Sequence, residues 1–291
     1  MNPNSETLFH FTKHKDIFQS ILKKGLRYSF AYEEFPSCIV NNIVLCGMSD
    51  TIVDENSMAG MAIPMISFCD IPLTRVDNHS NRYGKYVIGI DKSFLTYLYG
   101  DFINPVFYID SKSVQQSIAH LTKAQGVAVK SYFIQSESPN DMNIKAEALD
   151  YITKFRESIY QILSICKPTF GVNVEGEKQC FYEEREWRAI YPNLCGTSFE
   201  WQIGCTRSEF KEIKELLNNA LDSEPEAFVT LPTDFLNYIN HIIVPKEDDI
   251  PEILEYILNS DCIMGQKKID MNQRLLLLSK LTSYERITSD Y

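Results

Sequence analysis

Six apolar residues, Leu149, Ile152, Phe155, Ile159, Leu163 and Cys166, recur at three- and four-residue intervals in the middle of the chain, the spacing that lines one face of an α-helix. Strand-like runs stand on both sides of that stretch. Before it, Pro64-Met65-Ile66-Ser67-Phe68-Cys69-Asp70 forms a short apolar run, Tyr86, Ile88 and Ile90 alternate, and Pro105-Val106-Phe107-Tyr108-Ile109 is rich in β-formers. After it, Phe181 to Tyr191, a segment through Trp201, and short runs at Ala227 to Leu231 and His241 to Val244 read as strands. This order points to an α+β fold, a single domain over residues 1–291 with a helical insertion at 113–166 that Pro139-Asn140-Asp141 breaks in two.

The opening has the same mixed character. Leu8-Phe9-His10-Phe11 reads as a strand, and Thr12 can cap a helix running to Lys24, with Asp16 in its first turn, Ile17, Phe18, Ile21 and Leu22 on one face and Gly25 as the stop. Residues 28–62 carry few periodic signals and read as a long surface loop or lid, with Pro36 and Asn41-Asn42 as breakers. A turn is expected near Asn193 to Gly196. Asp91 caps a short helix through Phe94, Leu95 and Leu98. Further helices are expected from Ser208 to Leu221 and through Ile250, Ile253, Leu254 and Ile257. Leu275 to Leu278 with Leu281 reads as a docking helix or a partner contact.

Composition removes several classes of function. No run approaches the roughly 18 apolar residues of a membrane span, and Met1-Asn2-Pro3-Asn4-Ser5-Glu6 lacks the features of a signal peptide, so a cytosolic protein is expected. The net charge of −11 opposes nonspecific binding to nucleic acid or anionic membranes. None of the eight cysteines falls in a C-x-x-C pair, so free buried thiols are expected and no metal site. The phosphate-binding glycine motifs, H-E-x-x-H and the G-x-S-x-G nucleophile elbow are all missing.

Three segments can carry chemistry. His10, at the end of a strand, can face a cleft and donate to a ribose or phosphate oxygen, or be a core histidine satisfied by backbone. Between Ile66 and Ile90, polar and aromatic residues cluster, including His79, Tyr83 and Tyr86, and each tyrosine is either a packing residue or a stacking platform. In Tyr182-Glu183-Glu184-Arg185-Glu186-Trp187-Arg188, a strand puts Glu184, Glu186 and Arg188 on one face, either as a salt-bridge ladder or as a catalytic acid held ionised by its neighbour.

At these residues the chain resembles the abortive phage resistance proteins named AbiGi. The resemblance rests on His10-Phe11-Thr12 with its helix and Gly25, Ser67-Phe68-Cys69-Asp70-Ile71-Pro72-Leu73, His79, Tyr83-Gly84-x-Tyr86 with Gly89, Asn104-Pro105-Val106-x-Tyr108-Ile109 and Glu184-x-Glu186-Trp187-Arg188, over roughly the first 190 residues. That family carries an antitoxin label, which implies a toxin or antitoxin partner protein. The opening also resembles, more faintly, the DarT-type ADP-ribosyltransferases. This second resemblance implies an ADP-ribosyltransferase-like mixed sheet that uses NAD, with His10 and Glu186 catalytic and His10, Thr12, Tyr83 and Tyr86 holding the dinucleotide. Such a carboxylate would stabilise an oxocarbenium-like state as the nicotinamide-ribose bond breaks.

Overall fold

The computed structural model describes residues 6–36, 39, 58–73, 77–100, 103–109, 114–121, 123–124, 127, 150, 154, 158–172, 178–192, 203–224, 226–229 and 231–289. The expected breaks at 139–141 and 193–196 and the segment through Trp201 lie outside them. In chain order the elements are β1 (Thr7–Thr12), α1 (Lys15–Lys24), β2 (Ser29–Pro36), β3 (Met58–Cys69), α2 (Asp77–Tyr83), β4 (Tyr86–Asp91), α3 (Lys92–Tyr99), β5 (Ile103–Pro105), β6 (Phe107–Tyr108) and β7 (Cys166–Lys167). Next come β8 (Phe170–Val172), β9 (Lys178–Cys180), β10 (Glu186–Ile190), β11 (Ile203–Cys205), α4 (Arg207–Asp222), β12 (Ile239–Val244), α5 (Ile250–Asn259), α6 (Met271–Leu278), β13 (Leu281–Ser283) and α7 (Tyr284–Ser289). Residues 114–121 and 158–164, within the expected helical insertion, are helical.

One mixed sheet draws its strands from both ends of the chain. Its order is β13-β12-β4-β1-β3-β10-β5, with β2 and β11 pairing the first half of the long β3. Within this sheet, among the described residues, only β12 and β13 run parallel, because the chain between them has room for two helices; its other pairs are antiparallel, and β6 and β7 form a separate parallel pair. Side chains alternate across the sheet, so the register assigns each residue to a face. Leu8, Phe68, Ile88 and Ile90 point to one face and meet Phe18 and Leu22 of α1, Leu221 of α4 and Ile253 and Ile257 of α5 in the main core. Met61, Ile63, Met65 and Ile190 point to the other, under Ile159, Tyr160 and Leu163 of the helical segment, while Phe9, Val87 and Ile243 pack with Tyr284 of α7. Among the described residues no helix is long and apolar enough to cross a membrane.

Several local rules hold as the sequence states them. Gly25 ends α1 at φ 94°, Asp91 accepts from the Phe94 amide at 2.8 Å, and Thr206 and Glu209 form a reciprocal capping box on α4. Four expectations need correction. Residues 28–62 are not simply a loop: Ser29 to Pro36 pairs with Met65 to Met58 in an unbroken antiparallel ladder. Thr12 does not cap α1, whose N-cap is His14; Thr12 stays in β1 opposite Tyr86. The described residues of the expected Ala227 to Leu231 strand contribute one isolated bridge, Phe228 to Arg27. Phe181 to Tyr191 is not one strand: Phe181–Glu184 is a 3-10 turn, and Arg185, at φ 45°, turns the chain into β10.

Candidate functional site

The site lies where β1 leaves β3. These strands share one registered pair, Phe9 with Cys69, whereas β1 and β4 share six. Beyond Phe9 the next rung is absent, and the His10 ring substitutes for it, with Nδ1 donating to the Ser67 carbonyl at 2.9 Å. A cavity of about 230 Å³ fills the gap. Phe9, Phe11, Tyr83 and His79 form its aromatic side, and Glu33, Ser67, Lys167, Glu184 and Glu186 its polar side.

The polar side is a buried ion-pair network. Glu186 Oε1 accepts from Ser67 Oγ and Arg188 Nε, both at 2.9 Å, and its Oε2 accepts from Lys167 Nζ and Arg188 Nη2, both at 3.0 Å. Glu184 accepts from Lys167 Nζ at 2.8 Å and from the Tyr83 hydroxyl and the Gln179 amide. Arg188, with no exposed surface, also donates to Glu33 at 2.6 Å and to the Ser164 carbonyl at 2.8 Å. The left-handed Arg185 lets Glu184 and Glu186 converge on Lys167 from two different elements.

These contacts set the protonation states. Burial pushes the Glu186 carboxyl upward, but Arg188 and Lys167 overcome it and hold the group well below the usual carboxylate range. Glu33 differs: burial outweighs the pull of Arg188 and Lys167, and its carboxyl is raised. Lys167 is opposed by burial, yet Glu186, Glu33 and Glu184 hold it charged. His79 is pushed down to about 4 by burial, so it is neutral at pH 7.

The residues singled out in the sequence separate across the sheet. Glu186 pairs with Cys69, which pairs with Phe9, so Glu186 projects on the Phe9 face. His10, Thr12 and Tyr86 project on the opposite face, toward α1, where Tyr86 packs on Phe18 with ring centroids 5.2 Å apart. His10 reaches the cavity wall only at the splay, with its ring edge-on to Phe68 and its pKa lowered by burial. Tyr83 does line the cavity, beside His79 and bonded to Glu184. Thr12 and Tyr86 lie outside its lining.

Sequence reasoning missed Glu33, Lys167 and Gln179. Glu33 sits in a strand read as loop, although Tyr28, Phe30 and Tyr32 alternate with Ala31, Glu33 and Phe35 there. Lys167 ends the helical stripe without a local mark, and its partners lie 17 and 19 residues later.

The fold and this network define an α+β protein built on a mixed sheet, with a buried ionic cluster beside a small cavity. The chain belongs to the AbiGi family: residues 39–228 match the family described as "Putative abortive phage resistance protein AbiGi, antitoxin". It is also similar to the abortive phage resistance protein AbiGi of Lactococcus lactis subsp. cremoris, at 23% identity over 247 residues, covering 79% of this chain and 89% of that one. No solved structure matches. The family match takes in Ser67, Tyr83, Lys167, Glu184, Glu186 and Arg188 but begins after β1 and β2, so the opening motif with His10 and Thr12 stands outside it.

Proposed function

We propose that this chain acts in phage defence as the antitoxin of a toxin–antitoxin pair, by binding a partner protein. The observation that carries this reading is the saturation of Glu186, whose two oxygens already receive four hydrogen bonds from Ser67, Lys167 and Arg188. A carboxylate that meets a substrate hydroxyl or a cationic transition state needs a free lone pair aimed at it. Here the group instead ties β10 to β3 and β7. The family's description as an antitoxin supports the same reading. The net charge of −11 favours a basic partner, with association that weakens as salt rises.

A second reading, NAD-dependent ADP-ribosyl transfer, is favoured by one observation: Tyr83, Glu186 and the wall at His10 border a common cavity. At about 230 Å³ this cavity is smaller than the roughly 300–1,000 Å³ of most small-molecule pockets. One set of experiments separates the two. The chain, mixed with the protein encoded beside it, is expected to form a complex on gel filtration and to restore growth to cells making that partner. Calorimetry with millimolar NAD is expected to show no binding. NAD-dependent heat and nicotinamide release, both lost in Glu186→Gln at unchanged melting temperature, would overturn the antitoxin reading and establish the second.

A further inference from the structure

Glu33 has an oxygen to spare. Its Oε1 accepts from Arg188, while Oε2 has no hydrogen-bond partner among the described residues; the residue is 8% exposed and lines the cavity. An unmatched buried carboxylate oxygen costs more than an unmatched neutral group. Glu33, Glu184 and Glu186 face two cations, Lys167 and Arg188, which leaves the fully ionised cluster one negative charge in excess. The opposite wall is aromatic, from Phe9, Phe11 and Tyr83, and ring faces attract cations. A metal ion suits the site poorly, since among the described residues no group of three or more His, Cys, Asp or Glu side chains is placed to hold one.

We propose that the cavity binds an organic cation, an alkylguanidinium or alkylammonium head group, with Glu33 as its counter-ion and the aromatic wall against its apolar stem. The proposal is independent of the antitoxin reading. Burial raises the Glu33 carboxyl against the pull of Arg188 and Lys167, and Glu186 and Glu184 add to the shift. The other titratable groups in the lining do not compensate the charge: burial lowers both histidines, His10 and His79, the latter to about 4, and pushes up the Cys69 thiol and the Tyr83 phenol. A cation beside Glu33 favours the ionised carboxylate and so opposes that shift. Affinity should rise with pH as Glu33 gives up its proton.

The test is calorimetry of the full chain with ethylguanidinium and ethylammonium chlorides, against sodium chloride at equal ionic strength. Saturable binding is expected, with an affinity that rises rather than falls as pH is raised. Glu33→Gln is expected to weaken binding about tenfold or more, roughly 1.4 kcal/mol. Should that variant fail to fold, Ala31→Leu fills the cavity from its lining and is expected to abolish binding. Absence of saturable binding at tens of millimolar by folded protein, or equal binding by wild type and a folded variant, would overturn the proposal. Blocked Gly-Arg-Gly and Gly-Lys-Gly peptides distinguish the source: binding equal to the free cations supports a partner's side chain in the site, and binding of the free cations alone supports a small metabolite there.

Discussion

Arg188→Met is expected to destabilise the protein by about 3–5 kcal/mol, enough to leave a marginally stable domain largely unfolded. Arg188 has no exposed surface and connects three parts of the fold: Glu186 on its own strand, Glu33 on β2 and the Ser164 carbonyl at the end of the helical segment. Methionine fills much of the volume but supplies no donor. Glu186 would keep Lys167 and Ser67, while Glu33 and the Ser164 carbonyl would lose the partners described for them. Urea unfolding followed by circular dichroism measures the loss. Replacing Arg188, Glu186 and Glu33 together by Met, Leu and Leu is expected to recover part of it, because the cost lies chiefly in unpaired buried charge rather than in the absence of the bridge. An Arg188→Met protein within about 1 kcal/mol of wild type would show instead that the cluster is well solvated.

The elements legible in the sequence are those whose periodicity is set by a single apolar face. Ile88 and Ile90 in β4, Phe18 and Leu22 in α1, and Ile253 and Ile257 in α5 are buried as their spacing predicts, whereas Ile17 and Leu254, picked out with them, stay exposed. β2 was harder to read because its inward face holds a carboxylate between Ala31 and Phe35, and a glutamate there reads as surface. Its burial is made tolerable by Arg188, 155 residues further on, a distance at which no local pattern operates. The Glu184 and Glu186 segment is an intermediate case. Alternation places both on one face, and both do reach Lys167, but through a 3-10 turn and a left-handed arginine rather than along one strand. For His10 the sequence indicates a strand but not that its ring meets the cavity. That depends on where β1 parts from β3, a property of two strands more than fifty residues apart.

The segment that carries Tyr83 should be as sensitive as the ion-pair network, and Gly84 is the point at which to test it. Gly84 follows α2 at φ 107°, a conformation that L side chains rarely adopt, and its amide donates to the Ser80 carbonyl at 2.9 Å. A Cβ at this position would lie 2.1 Å from the Thr12 carbonyl oxygen and 2.4 Å from the Lys13 amide nitrogen. Both are backbone atoms at the end of β1, so the clash cannot be relieved by turning a side chain. Gly84→Ala is therefore expected to cost about 3 kcal/mol or more, combining strained backbone with forced separation of packed segments. Tyr83 immediately precedes it and bonds Glu184 across the cavity, so the displacement reaches the site as well as the fold. Melting temperature reports the first effect, and Tyr83 hydrogen exchange or fluorescence the second. Thr12→Ala serves as the control, because it keeps the backbone that Gly84 approaches and is expected to cost much less. A Gly84→Ala protein as stable as wild type would mean that β1 and α2 can separate freely beside Tyr83.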